Sequence, residues 1–132
     1  RCRTFQSLMR CLLDTQVMLW WLLDDPRLGA KSRELLASKP CLVSVASIWE
    51  VSIKHRIGKL EVSPIVFRDQ SIAAGADLLP VLDSHVIETA QLPLLHQDPF
   101  DRLLIAQARV EGLMAVSSDR QWVGYDVSLH RL

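Results

Sequence analysis

No apolar run in this sequence is long enough to cross a bilayer. The longest, such as VMLWWLL at 17–23, fall well short of the roughly 20 residues that a membrane span requires. Long glycine, serine or proline tracts are missing as well, which excludes disordered and low-complexity classes. Excess charge of either sign is absent: 15 Lys and Arg balance 15 Asp and Glu. The bulk attraction of a dedicated duplex-DNA binder is therefore missing, and any nucleic acid has to be held locally. Cysteine is scarce. Cys2, Cys11 and Cys41 are odd in number and widely spaced, and two of them lie in apolar runs, which fits buried thiols in a reducing cytoplasm better than disulfides or a zinc site. Arg1 and Arg3 are followed by no apolar core or small-residue cleavage site that would make a signal peptide. Met9 reads as the natural start, and residues 1–8 as an upstream extension outside the fold.

What is present is a chain of 132 residues, 49% apolar and 23% charged, enough for one domain with a real core and too short to divide comfortably. Short apolar runs alternate with segments of helical period. RCLLD (10–14), PCLVSV (40–45), DLLPVL (77–82) and LMAVSS (113–118) read as strands, with DVSLHRL (126–132) as a last one. Helices are expected over 15–23, 30–38, 47–60, from Ser63 as N-cap with Pro64 at the first position, over 84–92, and over 98–112. That alternation predicts an α/β fold, a parallel sheet of about five strands flanked by helices on both faces. Sites in such sheets form where the strands' carboxyl ends lie, so that edge is where chemistry is expected.

Four acidic positions converge there. Asp14 ends the first strand in CLLDT and Asp119 follows the fourth in VSSDRQW; each is also placed to cap a helix, with Thr15 as an alternative cap to Asp14. Glu50 lies about one turn into the third helix, and Lys54 follows at i+4, the spacing of an ordinary solvent-facing ion pair. In HQDPFDR, Asp98 before Pro99 has the form of an N-cap, while Asp101 falls at the third helical position, where the helix dipole welcomes a carboxylate. Taken one by one these residues need no function. Taken together, Asp14, Glu50, Asp101 and Asp119 would face one crevice, and packed carboxylates demand a counter-ion. Oxygen donors of that number suit Mg2+ or Mn2+.

These residues have a familiar order and spacing. LLDT at the first strand, IWEVSIK in the third helix, DPFDRLLIAQA before the fourth strand and VSSDRQW after it resemble the PIN-domain ribonucleases, and most closely the VapC-type toxins of prokaryotic type II toxin–antitoxin pairs. The likeness covers residues 9–132 as a single PIN-like domain. It implies an endoribonuclease that uses Mg2+ or Mn2+ to cleave single-stranded or looped RNA, with a VapB-type antitoxin and a second copy of the chain as partners. Asp14, Glu50, Asp101 and Asp119 match the family's acidic quartet, and Ser117 matches its Thr or Ser two residues before the last aspartate. On this resemblance Asp14, Asp101 and Asp119 hold the metal, with Glu50 orienting a water or completing the shell. Asp98 matches a position that is acidic in the DPFDR version of the motif but lies outside the core four.

Around that quartet several readings stay open. Thr15 and Ser117 offer hydroxyls for a ligand carboxylate or phosphate, or are surplus caps. Arg102 either contacts substrate phosphate or pairs with a site carboxylate. Lys54 and Arg56, in KHRIGK, either guide RNA backbone or are cations at the negative pole of a helix. Trp20 and Trp21 lie on a helix that is apolar nearly all round, buried by the core or by a partner chain. The histidines His55, His85, His96 and His130 show no metal-ligand spacing and are read as surface or capping residues. Two rivals remain: a phosphoacceptor receiver domain, which lacks here its strand-terminal lysine, and a catalytically silent PIN module serving as a protein- or RNA-binding scaffold.

Overall fold

The computed structural model describes residues 9–132, so Cys2 and the proposed extension over 1–8 lie outside the described residues. Five short strands, β1 (Cys11–Leu13), β2 (Cys41–Ser44), β3 (Asp77–Leu79), β4 (Met114–Ser117) and β5 (Leu129–Arg131), form one sheet. Their order is β3-β2-β1-β4-β5 and every pair is parallel. Among the described residues six α-helices connect them: α1 (Thr15–Leu22), α2 (Ala30–Ser38), α3 (Val45–Arg56), α4 (Pro64–Ala73), α5 (Asp83–Glu88) and α6 (Pro99–Glu111). The expected α/β architecture is therefore the observed one.

A parallel sheet is covered on both faces because its side chains alternate in direction. Cys11, Leu13, Cys41, Val43 and Val116 point to one core with Val17, Met18 and Trp20 of α1, Leu36 of α2, Val51 of α3 and Phe67 of α4. Leu12, Leu42 and Ala115 point to the other with Leu104, Ile105 and Ala108 of α6 and Trp122. Cys11 and Cys41 are register partners on adjacent strands and both are free and buried, as their apolar setting suggested. Trp20 belongs to the core and Trp21 is partly buried against it, so α1 is covered by its own chain.

Element ends follow local chemistry. Ser63 caps α4 through a bond from Val66 N at 3.2 Å, with Pro64 at its first position. Gly112 ends α6 with φ of 67°, a left-handed conformation that glycine adopts without steric cost. Several expected boundaries move: the third helix ends at Arg56 rather than 60, the helix expected over 84–92 gives way after Glu88 to a 3-10 turn, the last strand is only Leu129–Arg131, and two further shifts have a local cause. The third helix begins at Val45 rather than 47, because Ser44 is both the last residue of β2 and the helix cap, accepting from Ala46 N at 3.0 Å. Glu50 consequently sits in the second turn. β3 stops at Leu79, since Pro80 has no N–H to continue a ladder.

Candidate active site

β1 is central, with β2 on one side and β4 on the other, so the strand order reverses between β1 and β4. That switch point is where open parallel sheets leave a crevice at their carboxyl ends. Asp14 stands directly after β1, and Ser117 and Asp119 end and follow β4. A cleft of about 350 Å³ opens there, lined by Asp14, Glu50, Asp98, Asp101 and Asp119, with Lys54 as the cation on its wall.

Asp14 is a cap and a site residue at once. Its Oδ1 accepts from Val17 N at 2.7 Å, closing the first turn of α1, and its Oδ2 accepts from the Ser117 hydroxyl at 2.5 Å. The Ser117 Oγ in turn accepts from Asp119 N at 3.0 Å. One fully buried hydroxyl thus ties the ends of β1 and β4 together and sets the spacing of two carboxylates. Asp119 is also a cap, its Oδ1 accepting from Gln121 N at 2.9 Å.

Glu50 is 8% exposed, not the solvent-facing partner its i+4 lysine suggested. Its Oε1 accepts from Thr15 Oγ1 at 2.7 Å and its Oε2 from Lys54 Nζ at 2.9 Å. Ser47 Oγ lies 2.8 Å from the Thr15 hydroxyl and completes the contact. The two hydroxyls of Thr15 and Ser117 are therefore committed to carboxylates of the cleft. Lys54 is held above its usual pKa, first by its bond to Glu50, and also by the charges of Asp98 and Asp101.

In the DPFDR segment Asp98 is the helix cap that the sequence suggested, and both aspartates line the cleft. Asp98 Oδ1 accepts from Phe100 N at 2.8 Å and from Asp101 N at 3.3 Å, a helix cap. Asp101, in the first turn of α6, faces the cleft. Burial first, and then the Asp98 charge, push the Asp101 carboxyl up to about 7. Burial also pushes Asp14 up to about 6, against the pull of its Ser117 and Val17 bonds. Packed and desolvated carboxylates resist ionising together unless positive charge joins them. Asp14, Asp101 and Asp119 offer oxygen donors of the kind a hard divalent cation takes, and the donor atoms that lie within 4.8 Å of one another are those of His96, Asp101 and Asp119.

Three residues are placed otherwise than expected. Arg102 meets neither a site carboxylate nor the cleft: its Nη1 donates to Pro93 O at 2.8 Å and its Nη2 to Thr89 O at 2.9 Å. Arg56 is exposed in the last turn of α3 and does not line the cleft. His96 is 8% exposed rather than a surface residue. Its Nε2 lies 2.8 Å from Asp101 Oδ2 and 2.9 Å from Asp119 Oδ2. The sequence reading missed it, and only its place two residues before the capping Asp98 hinted at the site. His85, read as a surface or capping residue, takes the second role: fully buried, it caps α5 with Nδ1 accepting from Leu82 N at 3.0 Å, and its Nε2 lies 2.7 Å from Glu111 Oε2.

A parallel five-stranded α/β domain with an acidic cleft at its switch point is the class of protein that these observations define. The PIN domain family model matches residues 11–127, and the chain belongs to that family. Its fold is similar to VapBC2 from Rickettsia felis bound to a DNA fragment from their promoter, with a TM-score of 0.74, 15% identity, and coverage of 94% of this chain and 99% of that one. DNA-bound VapBC from Salmonella typhimurium matches at 0.68 and 14% identity over 94% and 98% of the two chains. VapC20 from Mycobacterium tuberculosis, a sarcin–ricin loop cleaving toxin, matches at 0.58 and 17% over 87% and 95%. Curated protein sequences gave no significant match. Among the described residues no helix is long and apolar enough to cross a membrane.

Proposed function

We propose that this chain is the endoribonuclease toxin of a VapBC-type toxin–antitoxin pair and hydrolyses RNA phosphodiester bonds with Mg2+ or Mn2+. The observation that carries this reading is the meeting of Asp14, Glu50, Asp101 and Asp119, from four separate segments, in one cleft. Burial holds Asp14 and Asp101 toward their protonated forms, and a cation that displaces those protons lets the carboxylates ionise together. Asp14, Asp101 and Asp119 would hold the cation. Bound there, it supplies Lewis acidity to a water and to the phosphate oxygens.

The remaining chemistry belongs to the chain. Glu50, fixed at one oxygen by Thr15 and at the other by Lys54, orients the attacking water and receives its proton. Lys54 gives the cleft wall a cation for the incoming phosphate. Ser117 keeps Asp14 and Asp119 in register. No nucleophilic side chain is required. A protein partner is supported by the exposed apolar row Val45, Trp49, Ile53 and Ile57 along and just past α3, since contiguous apolar patches on a folded chain mark interaction surfaces. A VapB-type antitoxin and a second copy of the chain are the partners this reading expects, in a prokaryotic cytoplasm.

The test is to incubate purified chain, free of antitoxin, with structured RNAs and Mg2+ or Mn2+ beside Asp101→Asn. Cleavage by the first alone supports the reading. If the two cleave equally poorly, the nuclease reading fails and the silent scaffold takes its place.

A further inference from the structure

His96 has no part in the acidic quartet, yet its ring lies between two members of it. The backbone N–H of Asp98 donates to His96 Nδ1 at 3.2 Å. A backbone amide can only donate, so Nδ1 is bare and the ring's proton is on Nε2. That N–H donates to Asp119 Oδ2 at 2.9 Å, Asp101 Oδ2 lies 2.8 Å from the same nitrogen, and the three atoms lie within 4.8 Å of one another. The residue is anchored from behind. His96 N donates to Tyr125 Oη at 2.7 Å, and Arg102 grips the same loop at Pro93 O.

We propose that His96 is a positioning residue, an N–H donor that splints Asp101 of α6 to Asp119 after β4 so that the two carboxylates meet a divalent cation as a preset pair. This rests on the metal-nuclease reading above. The neighbouring possibility is that His96 is itself a metal ligand, since His96, Asp101 and Asp119 have the composition of a three-donor set. A cation on Nε2 needs that nitrogen bare. The proton would then sit on Nδ1, pointed at the Asp98 N–H, and two donors would face each other. The splint keeps both hydrogen bonds; the ligand role breaks one and turns it into repulsion. Without the ring, two anions fixed to different elements repel and rotate apart, and a cation must first gather them. Outer partners that orient metal-ligating carboxylates act in this way.

The experiment measures Mn2+ binding to the full chain by calorimetry for wild type, Asp101→Asn, His96→Leu and His96→Gln. The glutamine amide places an N–H where the ring's Nε2–H lies; leucine fills space without donating. His96→Leu is expected to weaken Mn2+ by about 10–100-fold, and His96→Gln to recover most of that loss. Nitrogen NMR of the wild-type imidazole, titrated with Mg2+, is expected to show the Nε2-protonated tautomer before and after saturation, a readout that does not depend on any variant folding. His96→Leu binding as tightly as wild type, His96→Gln binding as poorly as His96→Leu, or a switch to the Nδ1-protonated tautomer on Mg2+ binding would each overturn the splint. Equal Mn2+ binding by wild type and Asp101→Asn would instead sink the metal site itself, and this inference with it.

Discussion

Asp98 and Asp101 are three residues apart, and their side chains do different work with the same functional group. Asp98 spends Oδ1 on the amides of Phe100 and Asp101, which asparagine can do about as well. Asp98→Asn is therefore expected to leave stability within roughly 0.5 kcal/mol of wild type, read by chemical denaturation. It also removes a charge that, after burial, is the next cause holding Asp101 up near 7. Asp101 should then ionise at lower pH, and the acid limb of the cleavage profile should move to lower pH with it. Asp101→Asn, by contrast, is expected to abolish metal-dependent cleavage while the chain stays folded. Equal loss of cleavage in both variants would make Asp98 a ligand rather than a cap.

At the scale of elements, the segment between α5 and α6 has one 3-10 turn, Thr89–Gln91, and is tied to α6 by a cation. Arg102 reaches back from α6 to the carbonyls of Thr89 and Pro93, with longer contacts to Leu92, His96 and the Tyr125 hydroxyl. Arg102→Leu leaves carbonyls without their donor and is expected to cost about 1–3 kcal/mol in denaturant unfolding. If the arginine acts on the loop alone, RNA binding in an Asp101→Asn background keeps its salt slope. A slope shallower by about one would return Arg102 to the substrate phosphate.

The same elements show what a sequence can and cannot disclose. The strands were legible because short apolar runs between caps have few other uses, and the starts of α4 and α6 because Ser63-Pro64 and Asp98-Pro99 are self-contained signals. The start of α3 was not, because Ser44 serves strand and cap together and leaves no loop between them. The quartet could be gathered from the order of motifs. The burial of Glu50 could not, since it depends on Thr15 arriving from α1. His96 stayed hidden for a like reason: its position is set by Tyr125 and Arg102, contacts that exist only once α6 and the segment after β4 have packed.

Across the whole molecule, charge is balanced in number and unbalanced in place. Fifteen cationic and fifteen acidic residues cancel over the chain, yet five carboxylates and one lysine line the cleft. This imbalance should appear as a link between pH, metal and stability. Asp14 and Asp101 titrate near 6 and 7 in the folded chain, against about 3.9 for an aspartate in the unfolded one. Below pH about 4 both states hold these protons and pH has no leverage through them. As pH rises from there through about 7, the unfolded chain releases them first, so their contribution to stability is lost across that window. A divalent cation replaces the protons and binds more tightly as they leave. Thermal melts at pH 5, 6, 7 and 8 with and without Mg2+ isolate the titrations linked to the cation, because only the difference between paired curves is read. The stabilisation by Mg2+ is expected to be small at pH 5, to widen by several degrees toward pH 8, and to shrink in Asp101→Asn. A gap that stays constant with pH would show that the cation does not bind where these two protons are held.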